Sequence, residues 1–197
     1  MKKLQLVAFD QGLEGWVNTD ITPHLVVAKI PGLVHVLRGA RLLPEHRYRQ
    51  HRAGTFAKLR YLNVTRRFPF GDATFDCVYS SHMLEHLDPR DANHCLRESR
   101  RVLKQGGVLR IAVPDLDQVV KKYAPEAPEA FLEELFESNQ KTAKNRHHWH
   151  YSEFSLRRCL EAAGFRNIFK ETFHQGRCPD LDRIECREES LFMEAVR

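Results

Sequence analysis

The chain has 197 residues, of which 42% are hydrophobic and 29% are charged, the proportions of a single soluble globular domain. Lys and Arg outnumber Asp and Glu by 31 to 26, and a net charge of +5 is too small to indicate a nucleic-acid-binding protein. The N-terminus MKKLQLVAFDQG has too short an apolar stretch for a signal peptide and no later run reaches membrane-spanning length, so we expect a cytoplasmic protein without a membrane partner.

The first part of the chain predicts short strands. Residues 4–9 form a short apolar run, and residues 15–21 (GWVNTDI) predict a second strand that ends on an acid. Residues 26–48 alternate apolar patches with prolines and arginines, and we interpret them as a loop with one or two short helices. Residues 58–64 (KLRYLNV) predict a third strand. Residues 75–80 (FDCVYS) predict a fourth, with the near-continuous apolar character of a strand that is covered on both faces.

A helix is expected after the fourth strand. Asp91 is a good N-cap, the apolar positions recur at roughly helical spacing, and Gly106 and Gly107 are expected to end the helix. The apolar positions in question are Cys95, Val102 and Leu103. Residues 108–113 (VLRIAV) then predict a fifth strand that Pro114 ends.

The last part of the chain predicts two more helices and two strands. The helices cover residues 126–139 and 151–163, the second with Ser152 as its N-cap, and the strands cover residues 167–173 and 190–196. This alternation of strands and helices predicts a parallel sheet with helices on both faces.

Residues 63–107 carry the most specific pattern, in which FDCVYSSHMLEHL is followed by LRESRRVLKQGG. The pattern resembles the centre of class I S-adenosylmethionine-dependent methyltransferases, in the small bacterial methyltransferase-11-like branch whose fourth strand reads FDxVYSSHxLEHL. The resemblance extends over nearly the whole chain. It implies an α/β fold with one Rossmann-like domain over residues 1–197, a mostly parallel seven-stranded sheet with helices on both faces, and an antiparallel C-terminal hairpin.

The resemblance also implies S-adenosylmethionine as cofactor and S-adenosylhomocysteine as product, bound where the first four strands end. Asp20 would accept hydrogen bonds from the ribose hydroxyls, although it could also be a turn or helix N-cap aspartate. Asn63 stands where the family keeps an acid for the adenine amino group. The serines after the fourth strand would line the methionine side. The implied cofactor-binding residues are Phe9, Asp20, Ile21, Asn63, Val64, Ser80 and Ser81.

The chain departs from the family pattern after the first strand, where Val7, Ala8 and Phe9 replace a Gly-x-Gly cluster. Glycine suits such a turn because it adopts positive φ and lets backbone amides approach the ligand. A phenyl ring would project into the cofactor space unless it swings aside. Two hypotheses follow: a methyltransferase with an atypical first loop, and a non-catalytic methyltransferase-like binding or scaffolding protein. A dinucleotide oxidoreductase is disfavoured because no G-x-G-x-x-G follows the first strand.

Histidines supply the candidate catalytic groups, because an imidazole has a pKa near neutrality. His82 and His86 follow the fourth strand, and residues 146–151 (RHHWHY) lie within a candidate substrate lid, residues 140–152. The alternative for His82 and His86 is hydrogen bonding within the loop. The candidate catalytic residues are His82, His86, His150 and Tyr151. We predict no metal site, since the histidine run lacks helical i, i+4 spacing with a distant ligand, and the five cysteines form no C-x-x-C pair.

A basic insertion is expected between the second and third strands, over residues 24–58. Residues 29–67 contain ten basic side chains and one acid, Glu45. The stretch could bind an anionic acceptor or partner, such as a phosphorylated sugar, a nucleotide-linked glycan or an acyl carrier; alternatively it is a solvated surface balanced by the acidic residues 126–137. The expected acceptor is a small molecule, glycan or natural-product intermediate, with the methylated atom and the oligomeric state left open.

Overall fold

The computed structural model describes residues 1–136 and 146–197 and contains a seven-stranded sheet in the order β3-β2-β1-β4-β5-β7-β6. The first five strands are parallel, and β7 runs antiparallel to both β5 and β6. The predicted fold class, including the antiparallel C-terminal pair, is therefore confirmed. The strands are β1 (Lys3–Leu6), β2 (Val17–Asp20), β3 (Arg60–Tyr61), β4 (Phe75–Ser81), β5 (Leu103–Pro114), β6 (Asn167–Glu171) and β7 (Ser190–Val196).

Eight α-helices and one 3-10 turn connect these strands in the described part of the chain. The helices are α1 (His24–Lys29), α2 (Leu33–Gly39), α3 (Glu45–Arg52), α4 (Pro89–Val102), α5 (Leu116–Lys121), α6 (Pro128–Phe136), α7 (Glu153–Ala162) and α8 (Leu181–Ile184), and the 3-10 turn is Leu84–His86. Among the described residues, no helix has both the length and the apolar character needed to cross a membrane.

Apolar cores cover both faces of the sheet because successive strand residues point to opposite sides. Val78 of β4 belongs to the main core with α4 and α7, whereas its neighbours Cys77 and Tyr79 pack on the other face with α8. Helix α4 buries one stripe at i, i+3, i+4 spacing. The buried stripe of α4 includes Ala92, Cys95, Leu96, Ser99 and Val102.

The first part differs from the sequence-based prediction in several places, including β2, which is shorter than the predicted residues 15–21. Strand β1 ends at Leu6, because the chain turns sharply at Val7. The region between β2 and β3 holds three short helices and not one or two. Strand β3 is only Arg60–Tyr61, because it pairs with β2 alone at the edge of the sheet and both its side chains are exposed.

The boundaries of α4 are also corrected. Asp88 occupies the N-cap position and Pro89 begins the helix, so Asp91 lies in the first turn. The helix ends at Val102 and the chain passes directly into β5. The two glycines expected to end the helix instead lie within β5, where its register against β4 shifts.

The predicted start of α7 is confirmed, because Ser152 and Ser155 form a reciprocal capping box. Of the helix predicted over residues 126–139, the structure has Pro128–Phe136, and residues 137–139 lie outside the described part.

A buried charge network fixes the segment before β7 against the sheet, and the sequence did not reveal it. Arg110 of β5 is fully buried; its Nε donates to Glu185 Oε1 at 2.7 Å, and its other nitrogens donate to the carbonyls of Gln175 (2.8 Å) and Thr172 (3.0 Å). Glu194 of β7, equally buried, accepts two backbone amides at 2.8 and 2.9 Å. Each buried charge therefore has the polar partners that offset its desolvation.

Candidate functional site

Two cavities open where the parallel strands end, the edge at which ligands bind in open α/β sheets. The larger has a volume of about 950 Å³ and is lined by residues that follow β1 to β4 and by the loop before α7. Its volume is in the range of small-molecule sites. Its apolar wall consists of Val7, Ile21, Leu62, Val64, Met83 and Leu87.

The smaller cavity, of about 660 Å³, lies beside it, between the end of β5, helices α5 and α6, and the start of β7. Its lining carries both signs of charge, including Asp115, Lys122 and Glu133. Three side chains line both cavities, namely His82, His147 and Arg187, and we call this place the junction. A ligand in either cavity would therefore contact the same side chains, including the imidazoles of His82 and His147.

The loop after β1 forms the expected sharp turn without glycine. Val7 and Phe9 have positive φ values of 50° and 44°, the conformation that glycine adopts without strain. The Phe9 ring packs 5.8 Å from the ring of Phe56, and the guanidinium of Arg47 lies 4.5 Å above it. The ring is thus held at one wall by the insertion, and the larger cavity remains open beside it.

Asp20 anchors this loop. The carboxylate is 4% exposed and accepts the amide of Phe9 at 3.0 Å and the amide of Thr22 at 2.6 Å. Each oxygen retains a lone pair for a further donor, so the anchoring role and the predicted ribose contact are compatible. Ile21, beside it, is 58% exposed and lines the larger cavity.

Asn63 has a local role in the structure. Its Oδ1 accepts the amide and the hydroxyl of Thr65, both at 2.9 Å, and Asn63 does not line either cavity. Val64, which is buried, supplies the cavity wall instead. An adenine contact by Asn63 remains a prediction.

The two serines at the end of β4 point to opposite faces of the sheet, because they are consecutive in a strand. Ser80 is buried, and its hydroxyl has no hydrogen-bond partner among residues 1–136 and 146–197. Neither Ser80 nor Ser81 lines a cavity, so a cofactor contact by either remains a prediction.

His82 occupies the junction with a strained backbone. Its φ is 46°, and its amide donates to the carbonyl of Ala112 at 2.9 Å. Nε2 lies 2.9 Å from the Ser190 hydroxyl, and Nδ1 lies 3.2 Å from Oε1 of Glu85. The imidazole therefore has Nε2 toward a residue of the smaller cavity, whereas Nδ1 faces both the Glu85 carboxylate and Nη1 of Arg187, which lies 3.4 Å away.

Glu85 is a functional candidate that was not among the predicted site residues, although it lies inside the LEHL pattern. It is 1% exposed, and in the described part of the chain neither carboxylate oxygen accepts a hydrogen bond. Its carbonyl accepts the amides of His148 (2.8 Å) and Trp149 (3.1 Å), which ties the loop before α7 to the 3-10 turn.

The other predicted catalytic residues occupy three different environments. His86 lines the larger cavity, with Nδ1 3.1 Å from the carbonyl of Arg146. His150 lines the smaller cavity, and its Nε2 donates to the carbonyl of Leu135 at 2.7 Å. Tyr151 is 1% exposed within the main core and lines neither cavity, and burial raises the pKa of its phenol well above the usual range. A catalytic role for Tyr151 therefore finds no support, because its phenol packs among apolar side chains.

The lid prediction concerns residues 140–152, of which 140–145 lie outside the described residues. The basic insertion forms α1 to α3. Arg38 and Arg49 both pair with Glu45, at 2.7 and 2.9 Å, and Arg47 pairs with Asp10 at 2.9 Å. None of the basic residues between 29 and 67 lines either of the two cavities described above, so an anionic partner at this surface remains a prediction.

Comparison with known proteins agrees with this geometry. A family model described as a methyltransferase domain matches residues 19–169. An S-adenosylmethionine-dependent methyltransferase from Archaeoglobus fulgidus is 14% identical, with 100% of this chain and 86% of that chain covered and a TM-score of 0.57. One from Thermotoga maritima is 15% identical, with 99% and 81% covered and a TM-score of 0.56. The structure of PigF with S-adenosylhomocysteine is 14% identical, with 100% and 50% covered and a TM-score of 0.53. These structures share the fold.

Proposed function

The chain belongs to the family of methyltransferase domains, whose cofactor is S-adenosylmethionine, and from this premise we propose that the larger cavity binds that cofactor and the smaller cavity binds the methyl acceptor. The observation that carries the proposal is the junction, where His82 lines both cavities. A donor and an acceptor in adjoining cavities would both lie next to this imidazole.

The residues of the larger cavity suit the cofactor. Leu62, Val64 and Met83 supply an apolar surface for a nucleobase. Asp20 does not itself line the cavity, but its buried carboxylate holds the loop after β1, whose residues Val7 and Phe9 do. When bound, S-adenosylmethionine supplies a methyl group that the sulfonium charge already activates. What the protein adds is alignment of the acceptor and removal of its proton.

His82 is the residue that takes this proton. Nδ1 lies 3.2 Å from the Glu85 carboxylate and 3.4 Å from Nη1 of Arg187, which can only donate. In this scheme the shorter contact sets the tautomer, so that the proton on Nδ1 faces Glu85 and the lone pair is on Nε2, the nitrogen beside Ser190. Because Ser190 lines the smaller cavity, the basic nitrogen is on the acceptor side. His150 lines the same cavity and contacts the acceptor in this scheme.

The lining of the smaller cavity favours a polar acceptor. Asp115, Lys122 and Glu133, with Arg187 at the junction, would lose hydration against an apolar ligand without compensation. A hydroxylated small molecule, sugar or glycan offers the hydrogen bonds that these groups need. The alternative, a non-catalytic module with a closed pocket, is disfavoured because the Phe9 ring packs against Phe56 and leaves the cavity open.

Calorimetric titration with S-adenosylhomocysteine tests the cofactor site. We expect one molecule to bind per chain, and a concentration about 100 times the dissociation constant to stabilise the fold by roughly 2.7 kcal/mol. Asp20→Ala should weaken binding at least about tenfold, because removing a charged hydrogen-bond partner costs roughly 1.5–3 kcal/mol. Asp182→Ala, which removes an exposed aspartate outside both cavities, is the matched control.

His82→Gln separates binding from chemistry. It should retain S-adenosylhomocysteine affinity within a few fold and lose methyl transfer to any acceptor that the wild type accepts. Absence of heat and of thermal stabilisation in the wild type would reject the methyltransferase proposal and favour the non-catalytic alternative.

A further inference from the structure

One carboxylate and two imidazoles converge beside the junction. Glu85, His86 and His147 each offer one donor atom, and these atoms lie within 4.8 Å of one another. Glu85 and His86 lie in the 3-10 turn after β4, whereas His147 lies about 60 positions later in the chain. Spacing within the histidine run alone could not show this group, because its other members come from a different element.

A cation beside Glu85 would stabilise its buried carboxylate. A buried carboxylate is costly unless hydrogen bonds or opposite charges compensate it. Among the described residues, neither oxygen of Glu85 accepts a hydrogen bond, and imidazole nitrogens face Oε1, with Nδ1 of His82 at 3.2 Å and Nε2 of His147 at 3.9 Å. An imidazole offers either a proton or a lone pair, so this arrangement suits a metal ion as well as a shared proton.

The supporting contacts resemble those of metal-bound histidines, which usually donate their second nitrogen to a carbonyl or carboxylate. Nδ1 of His86 lies 3.1 Å from the carbonyl of Arg146, and a proton on it leaves a lone pair on Nε2. The loop that carries His147 is held to the turn by the amides of His148 and Trp149 on the Glu85 carbonyl. Backbone hydrogen bonds therefore hold together the two segments that carry the three donor atoms.

We propose that Glu85, His86 and His147 bind one divalent first-row transition-metal ion of the zinc or manganese type. Two imidazoles and one carboxylate are a common donor set for such ions and leave coordination positions open. With metal–ligand bonds of about 2.0–2.2 Å, donors around one ion lie roughly 3–4 Å apart, so closure requires only a small inward movement.

The location gives the ion a role within the proposed methyl transfer, and this part of the inference rests on that proposed function. All three ligands line the larger cavity, and His147 also lines the smaller one. An ion there would be within reach of an acceptor oxygen and would lower the pKa of an acceptor hydroxyl by acting as a Lewis acid. The substrate class thus narrows to alcohols, including sugars and vicinal diols.

Metal titration of the purified full chain tests the proposal. The protein is first treated with a chelator and dialysed, and then Zn²⁺ and Mn²⁺ are titrated by calorimetry, with Co²⁺ absorption in the visible range reporting the ligand set. We expect one ion per chain. Glu85→Gln and His147→Ala should each weaken binding at least about tenfold and alter the Co²⁺ spectrum.

His46→Ala is the matched control, because His46 is exposed on α3 and lines neither cavity, and its affinity for the ion should equal that of the wild type. Circular dichroism confirms that each variant is folded, and Glu85→Gln preserves side-chain shape. A wild type that binds no ion overturns the proposal, and so does ion binding that Glu85→Gln and His147→Ala leave unchanged. Parallel titration with S-adenosylhomocysteine, with and without the ion, tests the cofactor site separately, so either proposal can fail alone.

Discussion

Two of the buried carboxylates in this molecule, Glu185 and Glu85, have very different partners. Glu185, before β7, accepts Nε of Arg110 and the amide of His174, both at 2.7 Å. Glu85, after β4, is similarly buried, but among the described residues its oxygens face imidazoles and accept no hydrogen bond. The first carboxylate is saturated by permanent partners, whereas the second has groups that can exchange a proton or a metal ion.

The difference distinguishes a structural charge from a functional one. Arg110 is always charged and donates in fixed directions, so its network has one state and holds the segment before β7 in place. Each imidazole around Glu85 can instead offer either a proton or a lone pair. A site that must bind and release a ligand needs such alternatives, and it lies at the cavities, while the saturated network lines neither of them.

The most severe test of this comparison is Arg110→Ala. It leaves Glu185 buried without its cationic partner and breaks hydrogen bonds to two carbonyls, so we expect the free energy of unfolding to fall by about 3–5 kcal/mol. Urea unfolding measures it. Arg166→Ala, at an exposed position, should change stability by less than about 0.5 kcal/mol. A loss for Arg110→Ala as small as that of this control would mean that the network is not structural.

Gly176→Ala tests the same network from the backbone. Gly176 has a φ of 152°, and an added Cβ would come 2.8 Å from Cδ of Glu194 and 2.9 Å from Nη1 of Arg110. We expect a loss of about 2–3 kcal/mol from overpacking. Gly54→Ala is the matched control, because Gly54 also has positive φ but open space around its Cα, and it should cost only about 1 kcal/mol of backbone strain. Equal losses in thermal unfolding would show that crowding at Gly176 is unimportant.

The sequence predicted those features of the fold that depend on residues close to one another in the chain. Strand β7 has the predicted bounds, and Ser152 caps α7 as expected, because alternation and capping depend on neighbouring residues. The sheet order could be anticipated only through the family resemblance. The turn after β1 left two hypotheses open in the sequence, because the placement of the Phe9 ring depends on tertiary contacts with Asp20, Phe56 and Arg47.

The functional centre was only partly predictable for a related reason. His82 and His86 were identified from their place after β4, yet the carboxylate between them in the chain was passed over. Glu85 gains its importance from burial and from His147, a residue that only the fold brings near. The partners of Arg110 are equally remote, since Glu185 lies 75 positions away. No periodicity in a single sequence records such pairs.

A direct contrast comes from the same substitution at both carboxylates. In the presence of chelator, Glu85→Gln should change the free energy of unfolding by less than about 1 kcal/mol, because it removes a buried charge without breaking hydrogen bonds from the described residues. Glu185→Gln should cost about 1.5–3 kcal/mol, because it weakens bonds from Arg110 and the amide of His174. Urea unfolding compares the two. Similar losses at both positions would remove the distinction between a structural and a functional carboxylate.

The smallest expected effect concerns the pair His24 and His51, in which burial disfavours the charged form of both imidazoles. Nδ1 of His24 lies 2.9 Å from Nε2 of His51, and the two rings join α1 to α3 around Phe56. Desolvation lowers the pKa of both imidazoles below the ordinary 6.5, with the charge of Arg47 adding to the effect on His24 and His24 adding to that on His51. One proton between the two facing nitrogens stabilises this pair, whereas protonation of both rings would place two positive charges side by side.

The sign of the pH dependence follows from these lowered pKa values. Near and below pH 6.5 the unfolded chain binds more protons at His24 and His51 than the folded chain, so the stability that they contribute is present above that pH and is lost as the pH falls. Thermal unfolding between pH 7.5 and 5.5, with chelator present, should show a modest decrease in stability. His51→Gln should flatten this decrease, because it removes one of the two coupled groups, whereas His46→Gln on the exposed side of α3 should not. If stability falls with pH equally in the wild type, His51→Gln and His46→Gln, groups other than His24 and His51 cause the pH dependence. The imidazoles around Glu85 would then be the next groups to substitute.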